Sequence, residues 1–101
     1  VLPWIAIIDK FQHWIYTNPA HTREERKSEW LKINNKYSTG IIDWSEYENF
    51  QEYSWHRQLH IFEVPFYYIE YGIAQLGALG IWKNYREDSK KAVENYKAAL
   101  S

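Results

Sequence analysis

Proline 65 stands inside helical-looking text. The stretch WHRQLHIFEVPFYYIEYG, residues 55 to 72, is rich enough in apolar side chains to lie against a core. A single helix through it is nevertheless excluded, because Pro65 has no N–H for the carbonyl of Ile61 and its ring clashes there. Val64, the residue before it, is pushed toward an extended backbone. The spacing therefore predicts a bend, with His60 ending one helix and Tyr67, Tyr68 and Tyr71 on the opening turns of the next. Tyr68 and Tyr71 share a face at i, i+3, as do Tyr67 and Tyr71 at i, i+4. One imidazole and two phenols can then converge on a concave point.

The remaining text reads as helices separated by short turns. Pro3 suits a first helical position, where its missing N–H has no partner to lose. Trp4, Ile7, Ile8, Phe11, Trp14 and Ile15 then follow at i, i+3, i+4, i+7 spacing until TNPAH, from Thr17, breaks the pattern. Thr22 with Glu25 three residues on forms a capping box for a second helix. That helix has a narrow apolar side of Trp30, Ile33 and Tyr37, which places it on the outside. Ser45 and Glu48 repeat the box and predict a third helix through Tyr47, Phe50, Trp55, Leu59 and Phe62. A fourth is expected from about Pro65 to Tyr85, and a fifth capped by Asp88 with the stripe Ala92, Val93, Tyr96, Ala99, Leu100. No alternating strand pattern and no internal repeat is present. The expectation is an all-α fold: about five helices in one irregular bundle over residues 1–101.

Glycine marks the fourth helix. Gly72, Gly77 and Gly80 each cost roughly 1 kcal/mol against alanine in a helix interior. With Ala74 and Ala78 they make a thin rod that other helices can approach. Packing is the expectation for Gly77 and Gly80, whereas Gly72 is open between packing and room for a bound substrate.

Composition removes several function classes. A formal net charge of −1 leaves no basic face for nucleic acid. REERKSEWLK, from Arg23, mixes acids with bases as a solvated helix face does. Without cysteine there are no disulfides and no thiolate metal sites. The longest apolar run, IEYGIAQLGALGIW, falls short of the ~20 residues of a membrane span. Six Trp and nine Tyr bring polar tips that need partners, so the core should be wet at its edges. The chain opens at Val1 in apolar text with no initiator Met, as a piece of a longer polypeptide would.

Two chemistries compete for the bend. His56 and His60 have the i, i+4 spacing of a zinc helix, but Arg57 follows the first histidine where HExxH has its glutamate. Only Glu63 offers a third ligand, and a guanidinium beside a dication is unfavourable. His13, four residues after Asp9, reads as a surface pair, and His21 belongs to a turn. Neutral phenol and imidazole donors, in contrast, suit a reaction that builds negative charge on oxygen. Core aromatics with satisfied hydroxyls and a helix-end histidine would give the same spacing.

LPWIAIIDKFQHWIYTNPAHT and WHRQLHIFEVPFYYIEYGIAQLGAL together closely resemble the C-terminal part of oligoendopeptidase F-type enzymes, zinc peptidases related to thimet oligopeptidase. The resemblance covers nearly the whole chain and implies a zincin-like parent, cytoplasmic, acting on short unstructured peptides. The family's zinc is held by two histidines of HExxH and a downstream glutamate, and the motif is missing here. The zinc ligands are therefore expected in an upstream part of the same polypeptide, leaving the 101 residues inactive alone and prone to self-association. The family pattern assigns His60, Tyr68 and Tyr71 to catalysis, and Tyr67 and Gly72 are expected beside substrate. The histidine-to-tyrosine interval is one residue shorter than in thimet-type members, so Tyr67 and Tyr68 both stand for the first tyrosine. Gly80 replaces a polar residue expected in close relatives. The competing reading is an independent helical module whose aromatic face docks a partner helix or peptide.

Overall fold

The computed structural model describes all 101 residues, and it is all-α. Two long helices open the chain, α1 (Leu2–Thr17) and α2 (Arg23–Tyr37). Three short turns of helix follow: α3 (Glu48–Glu52), a 3₁₀ turn (Ser54–Arg57) and α4 (His60–Glu63). Two more helices close it, α5 (Ile69–Glu87) and α6 (Ser89–Leu100).

The core forms where α1 crosses α2. Ile7, Ile8 and Phe11 of α1 meet Trp30 and Ile33 of α2, and Trp55 and Ile61 close the cluster from the short helices. Phe11 contacts Trp30 and Trp55 edge-on, with ring centroids 5.0 and 5.4 Å apart, a favoured aromatic geometry. The polar tip of Trp30 is satisfied at the core's edge, donating to the Gln51 carbonyl (2.9 Å) and the Ser54 hydroxyl (3.2 Å). The narrow apolar stripe of α2 thus fills the middle of the core while its charged back faces solvent.

Helix ends follow the local chemistry closely at two places. Thr22 and Glu25 form both halves of the capping box. The Thr22 N–H and hydroxyl donate to the Glu25 carboxylate and hold it below the ordinary glutamate range. Asp88 caps α6 by accepting from the Lys91 N–H at 3.0 Å. Lys27 is tied to Glu52 at 2.7 Å, which joins α2 to α3 and raises the lysine above its ordinary value.

The third expected helix is broken into three pieces, and Ser45 caps none of them. Its N–H and hydroxyl are taken by Asp43 two residues back (3.0 and 2.7 Å), the local turn with which such residues compete against helix. Farther on, the Gln51 carbonyl accepts from Trp30 and from the Ser54 hydroxyl, which ends α3 early and lets Trp55 turn into the core. His60 consequently opens α4 instead of ending a longer helix.

The bend at Pro65 is present. Val64 has φ −137° and ψ 70°, and Phe66 takes a left-handed conformation with φ 63°. That φ keeps residues 65 to 68 out of the helix, so α5 starts at Ile69 and not near Pro65.

Beyond the bend, α5 meets α1 at one close point. A Cβ on Gly72 would lie 3.3 Å from Ile5 Cγ2, whereas at Gly77 and Gly80 it would meet nothing within 4 Å. The packing expectation for Gly77 and Gly80 is therefore overturned, and the question left open at Gly72 resolves to packing. Gly72 makes the tight helix contact, and Gly77 and Gly80 face open space in this chain. Past Gly72 no residue of α5 is buried. The α5–α6 pair leaves the body, giving a radius of gyration of 18.1 Å against about 13 Å for a compact domain of this length.

Candidate active site at the proline bend

Four pieces of chain deliver the polar groups: the segment after the 3₁₀ turn, α4, the bend at residues 65 to 68, and the first turn of α5. Gln58, with φ −89° and ψ 88°, ends the 3₁₀ turn and redirects the chain into α4, whose first residue is His60. The bend then returns Tyr67 and Tyr68 to the same side, and Tyr71 lies one turn into α5. The His60 ring lies 5.0 Å from that of Tyr68 and 5.6 Å from that of Tyr71. The Tyr68 and Tyr71 rings are 5.1 Å apart, and the Tyr67 ring stands 5.8 Å from that of Tyr71. His60 Nε2 is 3.2 Å from the Tyr71 hydroxyl.

The bend itself is held from α1. Gln12 is fully buried, and its Oε1 accepts from the Phe66 N–H at 2.7 Å. The Phe66 ring packs on His13 (4.9 Å) and Tyr16 (5.1 Å). These contacts offset the roughly 1–2 kcal/mol that a left-handed backbone costs a residue with a Cβ. The Gln12 amide nitrogen is buried without a partner, which adds about 1–3 kcal/mol to the cost of the arrangement. Gln12 escaped the sequence reading, which carried the α1 stripe past it. Nothing in the sequence marked its partner at position 66.

The hydrogen-bonding roles of Gln58 and Trp4 also escaped the sequence reading. Trp4 Nε1 donates to Gln58 Oε1 at 3.2 Å, and Gln58 Nε2 lies 2.8 Å from His60 Nδ1. The imidazole is thereby contacted at both nitrogens, by Gln58 on one side and Tyr71 on the other.

Of the expected site residues, His60, Tyr68 and Tyr71 converge and Tyr67 flanks them. Gly72 does not face the cluster: its Cβ direction points at Ile5, and the residue is buried by α1. His56 is apart, its ring against Trp55 at 4.0 Å, because the 3₁₀ turn and Gln58 remove the helical register that i, i+4 ligation needs. No three His, Cys, Asp or Glu side chains come together as a metal would require, so the donor set present does not fit zinc. His13 pairs with Asp9 at 3.6 Å and packs on Phe66 of the bend, while His21 accepts from Arg26 Nε at 2.7 Å.

Chemically, the cluster offers phenol and imidazole groups on a face open to solvent. Tyr67 and Tyr71 are 51% and 44% exposed, so their hydroxyls are reachable by a ligand lying across the bend. No curated protein and no solved structure matches the chain. The profile of peptidase family M3 matches residues 1–101, the segment that carries the bend and its histidine and tyrosines included. With that match over its whole length, the chain belongs to peptidase family M3.

Proposed function

We propose that this chain is the C-terminal helical portion of an oligoendopeptidase F-type zinc metallopeptidase of the cytoplasm, acting on short unstructured peptides. Its contribution is the side of the cleft that receives the carbonyl oxygen of the scissile peptide. His60, Tyr68 and Tyr71 are the groups we assign to that task, the two phenols as donors and His60 behind Tyr71, with Tyr67 lining the approach of the peptide. The observation that carries the reading is their convergence, with His60 Nε2 3.2 Å from the Tyr71 hydroxyl and the Tyr68 ring against both. Membership of peptidase family M3 supports peptide hydrolysis as the reaction of the parent polypeptide.

When a peptide carbonyl becomes tetrahedral, its oxygen gains negative charge, and a phenol O–H aimed at it strengthens its hydrogen bond in step. One such donor typically supplies about 3–4 kcal/mol to the transition state. A phenol keeps its proton at neutral pH, since its ordinary pKa is about 10. The zinc of the resembling enzymes belongs to residues other than these, so the role given to this segment is confined to holding and polarising the carbonyl.

The alternative, an interaction module without catalysis, draws on α5. Ile73, Leu76 and Trp82 are more than half exposed, which is unusual for a helix apolar on all sides. The natural polypeptide that carries residues 1–101 separates the two. Purified with zinc and offered short peptides, it is expected to cleave them, while the 101 residues alone are expected not to. Cleavage by the isolated residues would overturn the assignment of half a site, and no cleavage by the natural polypeptide would favour the module.

A further inference from the structure

The two neighbours of His60 fix where its proton resides. The indole Nε1–H of Trp4 can only donate, and it lies 3.2 Å from Gln58 Oε1. That contact identifies the oxygen end of the amide, which is otherwise hard to tell from the nitrogen end. The other end, Nε2, can only donate, and it faces His60 Nδ1 at 2.8 Å. Nδ1 must then accept through its lone pair. In the neutral ring the proton is on Nε2, and that N–H points at the Tyr71 oxygen 3.2 Å away. Tyr71 accepts from His60 and keeps its own hydroxyl proton for something outside the cluster.

We infer that Gln58 is a positioning residue that holds His60 as its Nε2–H tautomer and so presents the Tyr71 O–H outward. In the opposite tautomer the Tyr71 hydroxyl would donate to Nε2 and have no proton to offer. One amide orientation, selected by Trp4, decides between a phenol that donates to a ligand and one occupied with its neighbour. The inference deepens the function proposed above and rests on it only for its catalytic consequence; the proton arrangement is a property of the chain itself. Gln58 touches no substrate in this scheme and acts solely through His60.

The test is nitrogen-15 NMR of the imidazoles in the 101-residue chain, at a pH high enough for neutral histidine. Two-bond nitrogen–hydrogen correlations report the tautomer directly. The wild-type chain is expected to show His60 protonated on Nε2. Gln58→Glu replaces the donor facing Nδ1 with an acceptor and should invert the tautomer to Nδ1–H, while Gln58→Leu should leave a mixture. A wild-type His60 protonated on Nδ1, or a tautomer unchanged in both variants, would overturn the inference. If either variant fails to fold, the wild-type spectrum decides alone. In the natural polypeptide, Gln58→Glu should lower kcat by about 10²-fold, the typical cost of losing one oxyanion donor, with KM and Tm little changed. An inverted tautomer with unchanged kcat would leave the positioning role standing and remove the catalytic reading of His60 and Tyr71.

Discussion

Alanine at the three glycines of α5 should give opposite signs at neighbouring turns. At Gly77 and Gly80 a new Cβ meets nothing within 4 Å. Each substitution then returns only the helix-propensity difference, about 0.8–1 kcal/mol of added stability. At Gly72 the same gain is opposed by a contact of 3.3 Å to Ile5 Cγ2, with Ile69 Cδ1 at 3.8 Å as well. Carbon pairs settle at about 3.5–4.0 Å. Ile5 is 2% exposed, so it can yield only by displacing the core. Overpacking of this kind costs about 1–3 kcal/mol, which leaves Gly72→Ala between neutral and a loss of about 2 kcal/mol. Urea unfolding followed by helical circular dichroism should rank Gly77→Ala and Gly80→Ala above wild type and Gly72→Ala at or below it. For a domain of this size a 1 kcal/mol change moves Tm by about 4–8 °C, so the separation is easily resolved. Equal stabilisation at all three positions would refute the close approach of α5 to α1.

Thr22→Ala should cost about 1 kcal/mol, because the cap of α2 is lost with nothing to replace it; chemical denaturation measures it. The same cap should weaken in acid. Glu25 is held below its ordinary value by the Thr22 donors. Its contribution is therefore full above the ordinary glutamate pKa, about 4.3, and disappears as pH falls through the lowered folded value. The acid-dependent loss should be absent in Glu25→Gln, and its persistence there would assign it to another group. Light scattering at rising concentration should show the isolated 101 residues associating through the apolar sides of α5, whose Ile73, Leu76 and Trp82 are exposed; a monomer throughout would show that this surface is tolerated in water.

The helices legible in the sequence were those whose ends and faces are encoded locally. The α1 stripe, the Thr22–Glu25 box and the Asp88 cap all depend on residues within one or two turns, and all are found. The bend was legible for the same reason, since Pro65 acts on its own backbone. What was missed depends on distant partners. Trp30 on α2 draws off the Gln51 carbonyl and breaks the third helix; the local capping pattern at Ser45 gave no sign of it. Gln12 and Phe66 are 54 residues apart, as are Trp4 and Gln58. The three glycines carry the same local signal, and only the position of Ile5 tells Gly72 from the others. The candidate site was thus half visible: its aromatic and imidazole groups by spacing, its positioning amides not at all.

The central claim is that Tyr71 and Tyr68 present their hydroxyls to a peptide carbonyl whose oxygen gains charge. Steady-state kinetics of Tyr71→Phe and Tyr68→Phe in the natural polypeptide test it most directly, since each change removes one hydroxyl and little else. A fall in kcat of about 10²-fold or more with KM nearly constant is expected, the pattern of a contact made only in the transition state. Wild-type kcat in both variants would contradict the account and leave the tyrosines as packing for the bend.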